Sequence, residues 1–186
     1  MYWSGFVFFL MTMFSNVACS NFDVSNIFDM IAKNSSKSLK FVEIHSETLF
    51  TKEIKVTGRV LFSKNGAMSK YNITPNKSEM HIVNNTLSLL NSEGVKSVSL
   101  VNYPVLASSV NAIRWLLLGE KDKISENYSI NYSNKNNDWT IDLIPIDKEV
   151  LLKVPGISIT GSLGNISVIT LIKANGTSIT TTYSKL

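Results

Sequence analysis

Residues 104–119 read PVLASSVNAIRWLLLG, and the fold turns on whether that stretch is a helix. Leu106, Val110, Ile113 and Leu117 fall at i, i+4, i+7 and i+11, one apolar stripe at helical spacing. Val105, Ala112 and Leu116 widen the stripe, while Ser108, Asn111 and Arg114 leave only a narrow polar strip. Pro104 suits a first helical position, where its missing N–H costs nothing. Gly119 suits the stop, because glycine tolerates the left-handed conformation beyond a helix end. A helix this apolar needs a large partner surface, and the rest of the chain supplies mostly strands.

Length and composition bound what that surface is. The chain has 186 residues, 44% hydrophobic and 17% charged, which fits one domain with a sizeable core and excludes a disordered chain. The net charge of +4 is spread over scattered lysines, with Arg59 and Arg114 the only arginines. No run of basic residues interleaved with aromatics occurs, so nucleic-acid binding is not expected.

Residues 1–20, MYWSGFVFFLMTMFSNVACS, carry no charged side chain. The apolar run over residues 6–14 is short for a bilayer span and reads as the core of a signal peptide. Ala18 and Ser20 fit a small-x-small cleavage site, with the domain proper over residues 21–186. Cys19, the single cysteine, offers a rival reading as a lipidated anchor. Either way no disulfide staples the mature chain.

Residues 21–33, NFDVSNIFDMIAK, read as a short amphipathic helix with Phe22, Ile27, Met30 and Ile31 on its apolar side. From Leu39 the period changes to two. In residues 53–63, Ile54, Val56, Val60 and Phe62 face one way; Lys55, Thr57, Arg59 and Ser63 face the other. Gly58 interrupts the inner row, as at a bulge or bend. Lys64, Asn65 and Gly66 signal a hairpin, as do Asn84 and Asn85, and residues 95–103 read as a strand leading into the long helix. After a charged helical turn, EKDKISENY, a meander follows. Tyr128, Ile130 and Tyr132 alternate, then Trp139, Ile141 and Leu143, then Val150, Leu152 and Val154. Ile157 and Ile159, and Ile166, Val168 and Ile172, give two more, and Asn175 and Gly176 turn the chain into a last strand. That makes about ten short strands.

Enzymatic signals are weak. His45 and His81 stand far apart in sequence with no cluster at metal-ligand spacing, and no nucleophile elbow or phosphate loop occurs. Asp138 and Asp142 share the parity opposite Trp139 and Ile141, a solvated face. No enzyme, metal or cofactor is expected. What remains is a sheet with one apolar face, rich in Phe62, Tyr128, Tyr132, Trp139 and Leu143. With the long helix laid across it, that face either encloses a hydrophobic cavity or fills as a packed core; the pattern is compatible with both.

The order of these features resembles the periplasmic outer-membrane lipoprotein carrier family (LolA-like). GRVLFSK over residues 58–64 is similar to the first part of its paired-strand motif, and YNITP over residues 71–75 to the second. IVNNTLSL over residues 82–89 resembles the next hairpin. LLLGE over residues 116–120, WTIDLIP over residues 139–145 and the final Asn-Gly hairpin complete the order. Trp139, Leu143 and Pro145 resemble the divergent branch of the family. The family's gating arginine, just before its first motif proline, corresponds here to Lys64, and Asn65 replaces that proline.

The resemblance implies a mainly β fold with helices (α+β), an unclosed antiparallel β-barrel with a helical lid over an apolar cavity. It implies a periplasmic, non-enzymatic carrier that shields acyl chains of lipoproteins or other acylated lipids on the way to the outer membrane, loaded by an inner-membrane donor transporter and unloaded to an outer-membrane acceptor. A monomer is expected. The alternative is a lipid-anchored outer-membrane acceptor or envelope assembly factor, tethered through Cys19. The expected cavity and lid residues are Ile54, Val56, Val60, Phe62, Leu106, Val110, Ile113, Leu117, Tyr128, Tyr132, Trp139, Ile141 and Leu143, with Lys64 as the candidate latch.

Overall fold

The computed structural model describes residues 24–35, 37–46 and 53–186. The expected signal peptide, Cys19 and the first residues of the N-terminal helix lie outside them. Helix α1 (Val24–Lys33) is followed by β1 (Lys37–His45), β2 (Ile54–Phe62), β3 (Met68–Thr74), β4 (Ser78–Val83), β5 (Thr86–Asn91) and β6 (Gly94–Ser99). A short 3-10 turn, Leu100–Asn102, leads into the long helix α2 (Pro104–Leu118) and then α3 (Lys121–Asn127). The second half runs β7 (Tyr128–Lys135), β8 (Asp138–Pro145), α4 (Lys148–Leu151), β9 (Gly156–Ser162), β10 (Asn165–Ile172) and β11 (Ser178–Lys185).

The strands form one 11-stranded sheet in the order β6-β5-β4-β3-β2-β1-β11-β10-β9-β8-β7. Each neighbouring pair is antiparallel, and the sheet is not closed: β6 and β7 are its free edges. The first and last strands meet in the middle, with Phe41 opposite Tyr183 and Glu43 opposite Thr181. The helices of the middle of the chain therefore connect one free edge to the other.

Helix α2 begins at Pro104 and ends at Gly119, whose φ of 71° and N–H bond to the Leu116 carbonyl make a left-handed cap. This is the stop expected of glycine. Its Ala112, Leu116 and Leu117 enter the main core with Ile27, Phe28 and Ile31 of α1 and Trp139, Ile141, Leu143, Ile157 and Ile159 of β8 and β9. A smaller cluster, Ile82, Leu87 and Leu100, lies under the other half of the sheet.

Three local expectations are corrected. The strand expected over residues 95–103 stops at Ser99, because Leu100 turns inward, becomes 1% exposed and donates its N–H to the Asn85 carbonyl. The strand expected through Val150, Leu152 and Val154 does not form: Val150 lies in helix α4 (Lys148–Leu151), and the chain leaves it through a turn at Leu152 to Val154. Asp147 caps the helix by accepting from the N–H groups of Glu149 and Val150, and Val150 and Val154 are buried while Leu152 is exposed, a spacing of four rather than two. Ile166, Val168 and Ile172 do not share a face. A bulge between Ile166 and Val168 shifts the register of β10 against β9, so the inward residues are Ile166, Ile169 and Leu171.

At Gly58 the register of β2 against β3 also shifts. A Cβ there would collide with the Tyr71 carbonyl and the Phe41 ring, so the inner row is interrupted for want of room.

Candidate functional site

Helix α2 has two unequal halves. Toward its C-terminus, Ala112, Leu116 and Leu117 are buried in the core. Toward its N-terminus, Leu106, Ser109, Val110 and Ile113 line a cavity of about 310 Å³, with Val110 and Ile113 half-buried at its edge against the neighbouring clusters. That is why Leu106, on the expected stripe, is still 40% exposed.

The sheet supplies the other wall. Phe41 of β1, Val60 of β2, Met68 of β3, Met80 and Ile82 of β4, and Ile157, Ile169, Leu171, Ile179 and Tyr183 of β9 to β11 line it. A second cavity, of about 370 Å³, lies beside α1 and the start of β1 and shares Ile169 and Tyr183 as a common wall. Phe62 and Tyr183 stand edge to face there, ring centroids 6.2 Å apart.

Of the residues expected to form cavity and lid, Val60, Leu106, Val110 and Ile113 come together around the first cavity, and Phe62 and Leu117 line the second. Val56 packs half-buried against the core, and Ile54, at the start of β2, is exposed. Tyr128, Trp139, Ile141 and Leu143 are buried in the core and line neither cavity, and Tyr132 packs against that core half-buried. The Tyr128 hydroxyl meets Ser108 of α2; burial pushes its pKa up, against the opposing effect of the Ser108 bond. The Trp139 indole N–H donates to the Leu163 carbonyl at 2.6 Å.

One part of the wall is polar, and periodicity alone did not single it out. Glu43, Lys70 and Thr181 also line the first cavity. Glu43 Oε2 accepts from Lys70 Nζ at 2.6 Å and from Thr181 Oγ1 at 3.1 Å, and Oε1 accepts from His45 Nε2 at 2.7 Å. Burial alone would push the Glu43 carboxyl up. The Lys70 charge and hydrogen bond, with those of His45, outweigh it and hold the carboxyl below its ordinary value. The Tyr183 phenol is pushed up by burial and by the Glu43 charge. The available signal was parity: Glu43 falls on the same face of β1 as Leu39 and Phe41.

The profile of a family described as "Outer membrane lipoprotein carrier protein LolA-like" matches residues 16–183. The chain belongs to that LolA-like family. No curated protein matches it in sequence. Among solved structures it is similar to a chain of the complex structure of Pseudomonas aeruginosa MucA/MucB, at 10% identity and TM-score 0.49, covering 88% of this chain and 56% of that one. The chain thus spans little more than half the length of that match. It is also similar to the LolA superfamily protein NE2245 from Nitrosomonas europaea, at 9% identity and TM-score 0.43, covering 86% of this chain and 90% of that one. LprF from Mycobacterium bovis matches at 14% identity and TM-score 0.34, again over 86% and 90%.

With the LolA-like family established, the position of its expected latch is informative. Lys64 is exposed in the β2–β3 turn. The turn carbonyls are engaged from the helix instead. Arg114 of α2 donates from Nε to the Gly66 carbonyl at 2.8 Å and from its guanidinium to the Asn84 carbonyl at 2.7 Å. One arginine thus ties the long helix to two hairpin turns, β2–β3 and β4–β5, and its planar fork suits two acceptors at once.

Ser69, His81 and Glu79 also fall within hydrogen-bond distance in a row, at 3.0 and 3.1 Å. They lie on the face of β3 and β4 opposite Met68, Met80 and Ile82, as a cross-strand ladder outside both cavities.

Proposed function

We propose that the chain is a periplasmic, non-enzymatic carrier that shelters acyl chains of lipoproteins or other acylated lipids between α2 and the concave face of the sheet. An inner-membrane donor transporter would load it and an outer-membrane acceptor would receive the cargo, with the carrier working as a monomer. The observation that carries the reading is the apolar cavity of about 310 Å³ under Leu106, Val110 and Ile113. Membership of the LolA-like family supports it. The driving force is removal of alkyl surface from water, roughly 0.8 kcal/mol for each methylene buried. Arg114, rather than Lys64, takes the part of the latch in this reading, because its bonds to Gly66 and Asn84 are made between helix and turns and break if the helix lifts.

The test is titration of the purified chain with a hydrophobic fluorescent probe. Saturable uptake at one site is expected, weakened at least tenfold by Ile113→Asp, which puts a charge on the cavity's roof. Absence of saturable uptake in the unaltered chain overturns the reading.

A further inference from the structure

The wall of an otherwise apolar cavity carries one ion pair, and its hydrogen bonds do not balance. Both Glu43 oxygens are engaged: one accepts from His45, the other from Lys70 and Thr181. Lys70 is not fully engaged. Its ammonium has three donors, yet among the described residues it makes one hydrogen bond, to Glu43, and rests over the Phe41 ring at 4.7 Å from the centroid. The Lys70 side chain is 19% exposed and that of Glu43 12%, so both are largely removed from bulk water. Taking an ion pair out of water carries a desolvation cost that the pair alone does not reliably recover. A pair used only for stability would not need a donor left over toward a cavity.

Position along the cavity adds direction. His45 is the last residue of β1 and its side chain is 27% exposed, so the polar cluster reaches from the wall to the rim. The rest of the lining is mostly apolar, with Val60, Met68, Met80 and Ile82 on the sheet side. A volume of about 310 Å³ lies at the lower end of the range for small-molecule pockets, roughly 300–1,000 Å³, which suits one chain rather than several.

We propose that Lys70, held in place by Glu43, is an anchor for the oxygen-bearing end of a single acyl chain: a carbonyl or carboxylate oxygen accepts from Nζ while the alkyl tail lies under Leu106, Val110 and Ile113 of α2. This rests on the carrier reading and adds to it a ligand class and an orientation. The carbonyl of an ester-linked or amide-linked chain and the carboxylate of a free fatty acid present the same acceptor chemistry.

The experiment uses the purified full chain and diphenylhexatriene, a hydrocarbon fluorophore without polar atoms, displaced in turn by palmitate, methyl palmitate and hexadecane. Palmitate or its methyl ester should displace the probe about tenfold more effectively than hexadecane, the scale of one hydrogen bond to a charged donor. Lys70→Met should reduce both to the level of hexadecane while probe uptake stays the same, which also shows that the variant is folded. Glu43→Gln, which leaves the Lys70 charge unopposed, should tighten palmitate selectively. Loss confined to palmitate assigns the anchor to carboxylates; loss of both assigns it to acyl carbonyls. Equal displacement by all three in the unaltered chain, or no change in Lys70→Met, overturns the anchor and leaves the cavity standing. No uptake of the probe overturns the carrier reading and the anchor with it.

Discussion

The two halves of the sheet treat the same helix differently. Under β8 and β9 the interior is full: Ile141, Leu143 and Ile159 are each 0% exposed, and Ala112 and Leu116 of α2 close against that cluster. Under β3 and β4 the same helix presents Leu106, Val110 and Ile113 to a hollow walled by Met68, Met80 and Ile82. The difference teaches that an apolar stripe states only what must leave water, not what it must touch. One half of α2 is a structural strut. The other is a roof.

The largest effect should come from truncating the full half. Ile141→Ala is expected to lower unfolding free energy by about 2–5 kcal/mol, whereas Val110→Ala, half-buried at the cavity wall, should lower it by about 1 kcal/mol or less. Urea titration of both variants measures the gap. Equal losses would mean that the hollow is packed in solution.

The complementary pair enlarges side chains. Ala112→Leu, in the full half, should cost about 1–3 kcal/mol through overpacking. Val110→Phe should cost little and abolish probe uptake by filling the hollow, so the two variants exchange phenotypes. Next comes the latch. Arg114→Gln removes charged donors from Gly66 and Asn84 and should destabilise by about 1–2 kcal/mol. It should also speed probe entry in stopped-flow mixing, where Lys64→Gln should not.

The smallest effect is on acid stability. The folded Glu43 carboxyl titrates below its ordinary 4.5, so folding favours its ionised form. Its contribution is complete above pH 4.5 and is lost as pH falls through the lower folded value. In Glu43→Gln the difference from the unaltered chain should therefore shrink as pH falls below 4.5, read as converging thermal midpoints.

Much of the fold was legible because its signals are local and repeated. The helix over residues 104–119, capped by proline and glycine, and the hairpins at Asn84 and at Asn175 and Gly176 each depend on a few neighbouring residues. The failures have equally specific causes. The bulge between Ile166 and Val168 is a choice of pairing register, which alternation along one strand does not encode. Helix α4 was marked by Asp147 as a cap, but the residues after it alternate as a strand would. The site was half legible. Parity put Val60 and the α2 residues on inner faces, but it puts Trp139, Ile141 and Leu143 there equally well. Which inner face is filled depends on the helix's placement, a tertiary fact. Glu43 and Lys70 were overlooked because a charge on an inner parity makes sense only once its partner strand is known.

The central claim is that the space under Val110 and Ile113 holds an alkyl chain. The most direct measurement is a crystal structure of the chain soaked with a fatty acid brominated at its tail, with the bromine located by anomalous scattering. The account predicts one bromine peak inside the hollow, between α2 and the wall formed by Val60, Ile82 and Ile169. A peak outside the sheet, or a hollow filled by repacked Leu106 and Ile113 side chains with no bromine, would contradict it.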